Sequence, residues 1–290
     1  MDKSNREEDL AIIQSMTLMD DIFMTVFFKN KPECVQEILD AVSIKATVTS
    51  VDTQCSYPNI YGHSVKFDIK AIFDDDTNCN IEIQKRSDGA NPKRARFHSS
   101  MLDIISLNSG DDYSALNDTY VIFITQHDVL GYNKPFYEIN RVISNVDEAF
   151  NDGSHIIYIN TAYKGNDNAK ITDLIHDFRC DNADEIRNKN IRNRFHEMKF
   201  NPTEEEVDEM CELLELRIQR ERAEGIEKGF EKGRAEGIEQ GIEKGIEKGR
   251  LETTKEIARN MLHSGDFTAE KIAEFCHLTV NEVYELDNPA

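Results

Sequence analysis

Apolar side chains recur at Phe23, Val26, Phe27, Val35, Ile38 and Leu39, the spacing of one helical face across residues 20–43. Asp20 or Asp21 is placed to cap its start and Pro32 to interrupt it. The period then changes from helical to alternating. Residues 46–51 read as a strand, and residues 65–73 as a second one with apolar and polar positions in alternation. The acidic turn 74–78 leads into a third strand, Cys79–Gln84, so that the last two strands make a hairpin. Pro92 to Leu107 predicts a helix with proline near its start. Thr119 to Thr125 is continuously apolar, which suits a strand buried on both faces. Ser154–Asn160 predicts another strand, and Ile171–Phe178 and Asp184–Lys199 predict helices. The order α-β-β-β-α-β defines an α/β class: a mixed sheet flanked by helices, with later helical additions.

Beyond residue 203 the pattern loses its core signal. Glu204–Arg222 reads as a charged amphipathic helix, and then glycine returns at every fourth position from Gly225 to Gly249. Each glycine costs a helix about 1 kcal/mol relative to alanine. The approximate unit Gly-Ile-Glu-Lys also stacks like charges at i,i+4, with Lys-to-Glu contacts at i,i+3 as partial relief. A marginally helical spacer is the reading favoured, and a close-packed self-association seam is the alternative; interleaved charges exclude a membrane helix. Residues 254–286 carry short helical patterns separated at Ser264-Gly265-Asp266 and His277-Leu278, resembling a minimal helix-turn-helix without basic residues on its last helix. Three segments are expected: 1–200 as the α/β domain, 201–253 as spacer or self-association helix, and 254–290 as a helical tail.

Composition modifies this picture in a few places. A net charge of −21 on 290 residues argues against a non-specific nucleic-acid binder. The stretch from Lys85 to Arg96 is nevertheless locally basic. The 6 cysteines form no C-x-x-C pair, so neither a zinc cluster nor a disulfide framework is implied, and reduced thiols in a cytoplasm are expected. Residues 1–8 are too charged for a signal peptide, and no apolar run is long enough for a membrane span.

The candidate chemistry lies on the hairpin. Glu82 and Gln84 share a strand face, and Asp68 projects from the less apolar face of the neighbouring strand. Two carboxylates converging from adjacent strands form part of the oxygen cage that hard divalent cations require. Charged residues on the solvent face of a sheet are the bland alternative. His176-Asp177 looks like a catalytic pair, but adjacent helical residues do not face each other, and a structural hydrogen bond is the favoured role.

The ordered set Asp68, Asn80-Ile81-Glu82-Ile83-Gln84, Lys93-Arg94-Ala95-Arg96-Phe97, Tyr120–Thr125 with Asp128–Gly131, Gly153–Tyr158 and His176-Asp177-Phe178 resembles the PD-(D/E)XK nucleases. More narrowly, it is similar to their putative transposase or recombination-promoting nuclease branch. The resemblance implies a restriction-endonuclease-like fold and hydrolysis of DNA phosphodiester bonds with Mg²⁺ or Mn²⁺. RNA is not distinguished from DNA by anything in the sequence. Carried over, Asp68 and Glu82 are metal ligands, Gln84 stands where the superfamily has lysine, and Asp21 is an acidic supporting position. A neutral amide supplies no charge to the transition state. Lys66, Lys70, Arg94 and Arg96 are therefore the candidate phosphate contacts, since Lys85 points to the opposite strand face. The competing expectation is a catalytically weak or inactive nucleic-acid-binding or assembly module that keeps the fold, and in either case the C-terminal helices are candidates for homo-oligomer formation.

Overall fold

A computed structural model describes residues 3–58, 62–166 and 168–286. The chain opens with helices α1 (Lys3–Gln14), α2 (Asp21–Phe28) and α3 (Pro32–Ala41). The helical stretch over 20–43 is interrupted near Pro32, as its position suggested: α2 and α3 are separated where Asn30 is left-handed (φ 55°), and Pro32 opens the second piece. Strands β1 (Val48–Tyr57), β2 (Val65–Phe73) and β3 (Asn78–Gln84) then form an antiparallel meander. β1 is longer than its apolar stretch. It lies at the sheet edge, where polar Asp52 and Thr53 can stay in solvent while their backbones pair with Lys70 and Ile69.

Helix α4 (Pro92–Ser106) crosses from β3 to β4 (Thr119–Thr125), and β5 (Phe136–Ile139), β6 (Val142–Ile143), β7 (Glu148–Ala149) and β8 (Ser154–Asn160) follow. β6 and β7 pair with each other in a small ribbon. The six-stranded sheet runs β1-β2-β3-β4-β8-β5, with parallel pairs β3–β4 and β4–β8. The continuously apolar β4 thus sits in the interior of the sheet, as its pattern predicts. The result is a mixed sheet flanked by helices, the α/β class expected. The short strands β5, β6 and β7 lack an apolar run to announce them, and α1 likewise was not anticipated.

α4 covers one face of the sheet. Its Ala95, Met101 and Leu102 pack with Phe67, Val121, Phe123 and Tyr158. α5 (Ala169–Arg179) and α6 (Lys189–Phe200) pack with α3. There Phe23, Phe27, Phe28, Phe178 and Phe195 form a chain of ring contacts with centroids 4.9–6.2 Å apart. Each such fully buried ring contributes roughly 1.5–3 kcal/mol. α6 begins at Lys189, later than anticipated, because Asp177 holds the backbone N–H groups of Arg187 and Asn188 outside any helix.

Helix α7 (Glu204–Ser264) starts in this first unit, which spans residues 1–216, and buries Val207, Met210, Cys211 and Leu214 at helical spacing. The second unit, 217–290, holds the rest of α7 with α8 (Ala269–Cys276) and α9 (Val280–Glu285). Ala258, Ile272, Ala273 and Val283 form its small core. The glycine repeat is helical throughout. Where Ala-Glu-Gly replaces the usual unit, opposite charges come into i,i+4 register, as in Glu224–Lys228 at 3.6 Å and Lys232–Glu236 at 3.8 Å. That offset relieves part of the like-charge stacking expected of the repeat. Among the described residues no helix is long and apolar enough to cross a membrane.

Candidate active site

The β2–β3 hairpin keeps regular partners from Ile72↔Asn78 to Ile69↔Ile81. One step further, side chains take over from the backbone. The Ile83 N–H donates to Asp68 Oδ2 at 3.0 Å, and the Asp68 N–H donates to Glu82 Oε1 at 3.3 Å. Each carboxylate therefore stitches the splayed end of the hairpin, and the two meet between the strands. Across β1 the same level is marked by Gln54, which is left-handed (φ 57°) and sits between the pairs Thr53↔Ile69 and Cys55↔Phe67.

Glu82 is wholly buried, whereas Asp68 is half-buried. Burial is the reason Glu82 must be compensated. Arg94 Nη2 stands 2.7 Å from its Oε2, and Asn80 Nδ2 donates to its Oε1 at 3.2 Å. Arg94 and His98 lie one turn apart on α4, so both reach toward β3. His98 Nδ1 is 2.9 Å from Asn80 Nδ2 and 3.5 Å from Glu82 Oε1. Arg94 Nη1 also donates to the Gly89 carbonyl at 3.0 Å, which pins the loop between β3 and α4. Sequence reasoning missed Asn80 and His98. Their signal was present: Asn80 shares the Glu82 face at i,i+2, and His98 follows Arg94 at i,i+4.

Burial first, and then the adjacent charge of Glu82, pushes the Asp68 carboxyl up to about 7. The Ile83 N–H and Arg94 act in the opposite direction, and Asp21 adds to the rise. Asp21, the first residue of α2, is thus within electrostatic range of the pair. Its neighbour Asp20 precedes the helix but accepts from the Thr17 N–H at 2.8 Å and pairs with Lys85, instead of capping α2.

Gln84 is half-buried, two residues beyond Glu82, and packs against Gly89 so closely that a Cβ there would collide with its Oε1. The remaining candidates are elsewhere. Lys66 is exposed opposite Ser56, the Lys70 ammonium rests 5.6 Å from the Tyr57 ring centroid, and Arg96 is exposed on α4. Among the described residues, none of these three pairs with either carboxylate. The structure gathers Asp68, Glu82 and Arg94, with Asp21 nearby.

The residues fit a hard divalent cation. Asp68 Oδ2 accepts one N–H, and Glu82 has three of about four lone-pair directions occupied, so acceptor capacity remains on both. Mutual repulsion between the carboxylates is the electrostatic condition that a cation relieves. Asn80 Oδ1 is in addition a buried acceptor that has no hydrogen-bond partner among the described residues.

His176 Nδ1 and Asp177 Oδ1 do touch, at 3.3 Å. Asp177 is a buried structural anchor, as favoured from the sequence: it accepts from Arg187 N, Asn188 N and Asn188 Nδ2.

A family model described as PD-(D/E)XK nuclease family transposase matches residues 29–221. The chain belongs to that family, and the expected fold agrees with it. The match contains Asp68, Glu82, Gln84 and Arg94 but begins after Asp21. Neither a curated protein nor a solved structure matches the chain significantly.

Proposed function

We propose that the chain is a metal-dependent nuclease that hydrolyses DNA phosphodiester bonds, with Asp68 and Glu82 holding Mg²⁺ or Mn²⁺. The observation that carries this reading is the meeting of the two carboxylates at the splayed end of the β2–β3 hairpin. The bound cation supplies Lewis-acid polarisation of the phosphoryl oxygen and an acidified water. Asp68 and Glu82 position that cation, and the α4 residues Arg94 and His98 hold Glu82 in place. Gln84 orients the attacking water through its amide, a role that needs hydrogen bonds but no charge. Arg94 is the guanidinium nearest the pair and is assigned to the developing negative charge on phosphorus. Lys66, Lys70 and Arg96 contact phosphates further along the strand. A cytoplasmic setting and self-association through the exposed apolar residues of α7 complete the proposal.

One observation favours a second reading, an inactive assembly module. Both Glu82 oxygens already have protein partners, and Gln84 is neutral. Supercoiled plasmid incubated with and without Mg²⁺ separates the two. The nuclease reading expects nicking that requires the cation and falls to background in Asp68→Ala and Glu82→Ala. Equal cutting by Glu82→Ala would remove the Asp68 and Glu82 pair from the chemistry, and no cutting by a folded wild type with either Mg²⁺ or Mn²⁺ on DNA and RNA favours the module.

A further inference from the structure

We propose that His176, Cys180 and Glu185 form a second metal site, one that takes a single borderline-soft transition cation of the Zn²⁺ type. One ligand atom from each of the three lies within 4.8 Å of both others. The arrangement follows from the chain. His176 and Cys180 are four residues apart, in the last turn and at the C-cap of α5, so they share a face. Glu185 returns from the following 3₁₀ turn, Ala183–Glu185. The Asn182 side chain ties that return: its amide donates to Glu185 Oε1 at 3.0 Å.

The donor set selects the ion. A thiolate, an imidazole and a carboxylate together suit Zn²⁺ and its neighbours, whereas Mg²⁺ prefers oxygen alone. An independent feature points the same way. Asp177, fully buried and held by Arg187 and Asn188, places Oδ1 at 3.3 Å from His176 Nδ1. A carboxylate on one imidazole nitrogen fixes the ring and leaves Nε2 for a metal, the outer arrangement common to metal-binding histidines. All three candidate ligands line a cavity of about 470 Å³ that Lys164, Arg179 and Arg187 also border. Three protein ligands leave a fourth position, open to water or an anionic group in that cavity. Binding forms the Sγ–metal bond, breaks the S–H bond and releases the proton to solvent. The Cys180 thiol donates to the Asn182 carbonyl at 3.2 Å, a contact that gives way when the proton leaves.

The site is separate from Asp68 and Glu82, so it stands or falls independently of the nuclease proposal. The test is Co²⁺ titration of the full chain after treatment with chelator. The expected result is one equivalent giving thiolate-to-cobalt charge-transfer absorption, displaced by Zn²⁺ but not by Mg²⁺. Cys180→Ser abolishes that band, Glu185→Gln weakens binding by at least about tenfold, and Asp68→Asn leaves the band intact. Cobalt binding without the band in wild type, or a band that survives Cys180→Ser, overturns the proposal. Should Cys180→Ser not fold, His176→Gln replaces it, with the same loss of at least about tenfold in affinity expected and unchanged affinity overturning the proposal.

Discussion

Asp68 works against the stability of the metal-free fold. Its folded carboxyl holds a proton far more tightly than the ordinary value of 3.8, because burial and Glu82 push it up to about 7. For a carboxyl raised in this way the folded state is favoured at low pH. Its contribution declines as pH rises from about 4 to about 7 and stays lost above that. Asp68→Asn removes this titration. The stability difference, wild type minus variant, should therefore become more unfavourable across that window and level off beyond it. Thermal melts at pH 5 and pH 8 without divalent cations read this directly. The variant should melt higher than wild type at pH 8, at about 2–4 °C per kcal/mol for a domain of roughly 200 residues. A pH-independent difference would mean that Asp68 does not carry the raised carboxyl.

Among elements, the hairpin and α4 were legible from the sequence. β2 keeps its alternation along its whole length, and β3 and α4 begin within a residue or so of where turn and proline signals place them. Asp68 and Glu82 were legible too, as polar positions inside apolar strands. The α4 contribution was only half visible: Arg94 was singled out as a phosphate contact, yet its guanidinium lies on Glu82, a tertiary pairing across 12 residues that no local period encodes. α6 shows the same limit more strongly. Its buried Arg194 donates to the carbonyls of Val26 and Phe27 near the end of α2 and pairs with Glu206 at 2.6 Å. Its Lys199 donates to the carbonyls of Ile13 and Gln14 in the last turn of α1 and of Met16 just beyond it. Cations at helix C-termini satisfy orphan carbonyls and complement the dipole. Arg194→Met removes the ion pair to half-buried Glu206 and leaves two carbonyls without this donor, and should cost about 1–3 kcal/mol. Urea unfolding measures it, and a loss below about 1 kcal/mol would mean that α6 is not anchored through this side chain.

At the scale of the whole molecule, the net charge of −21 and the glycine repeat bear on how the chain meets its partners. A Cβ on any of Gly225, Gly229, Gly233, Gly237, Gly241, Gly245 or Gly249 meets nothing within 4 Å. If the stripe is a solvated spacer, Gly233→Ala with Gly237→Ala should stabilise the helix by about 1 kcal/mol per site. Circular dichroism would show the gain and sedimentation no change of mass. If the stripe is a self-association seam, the same pair of methyl groups should weaken a dimer that wild type forms. The proposed nuclease chemistry depends on Asp68 and Glu82 gripping a divalent ion together. Calorimetric titration of Mg²⁺ into the full chain tests this most directly, because the thiolate-containing site does not compete for that ion. One binding event in wild type that disappears in Asp68→Asn is the predicted result; an unchanged titration in Asp68→Asn, or no Mg²⁺ or Mn²⁺ binding by folded wild type, would contradict it.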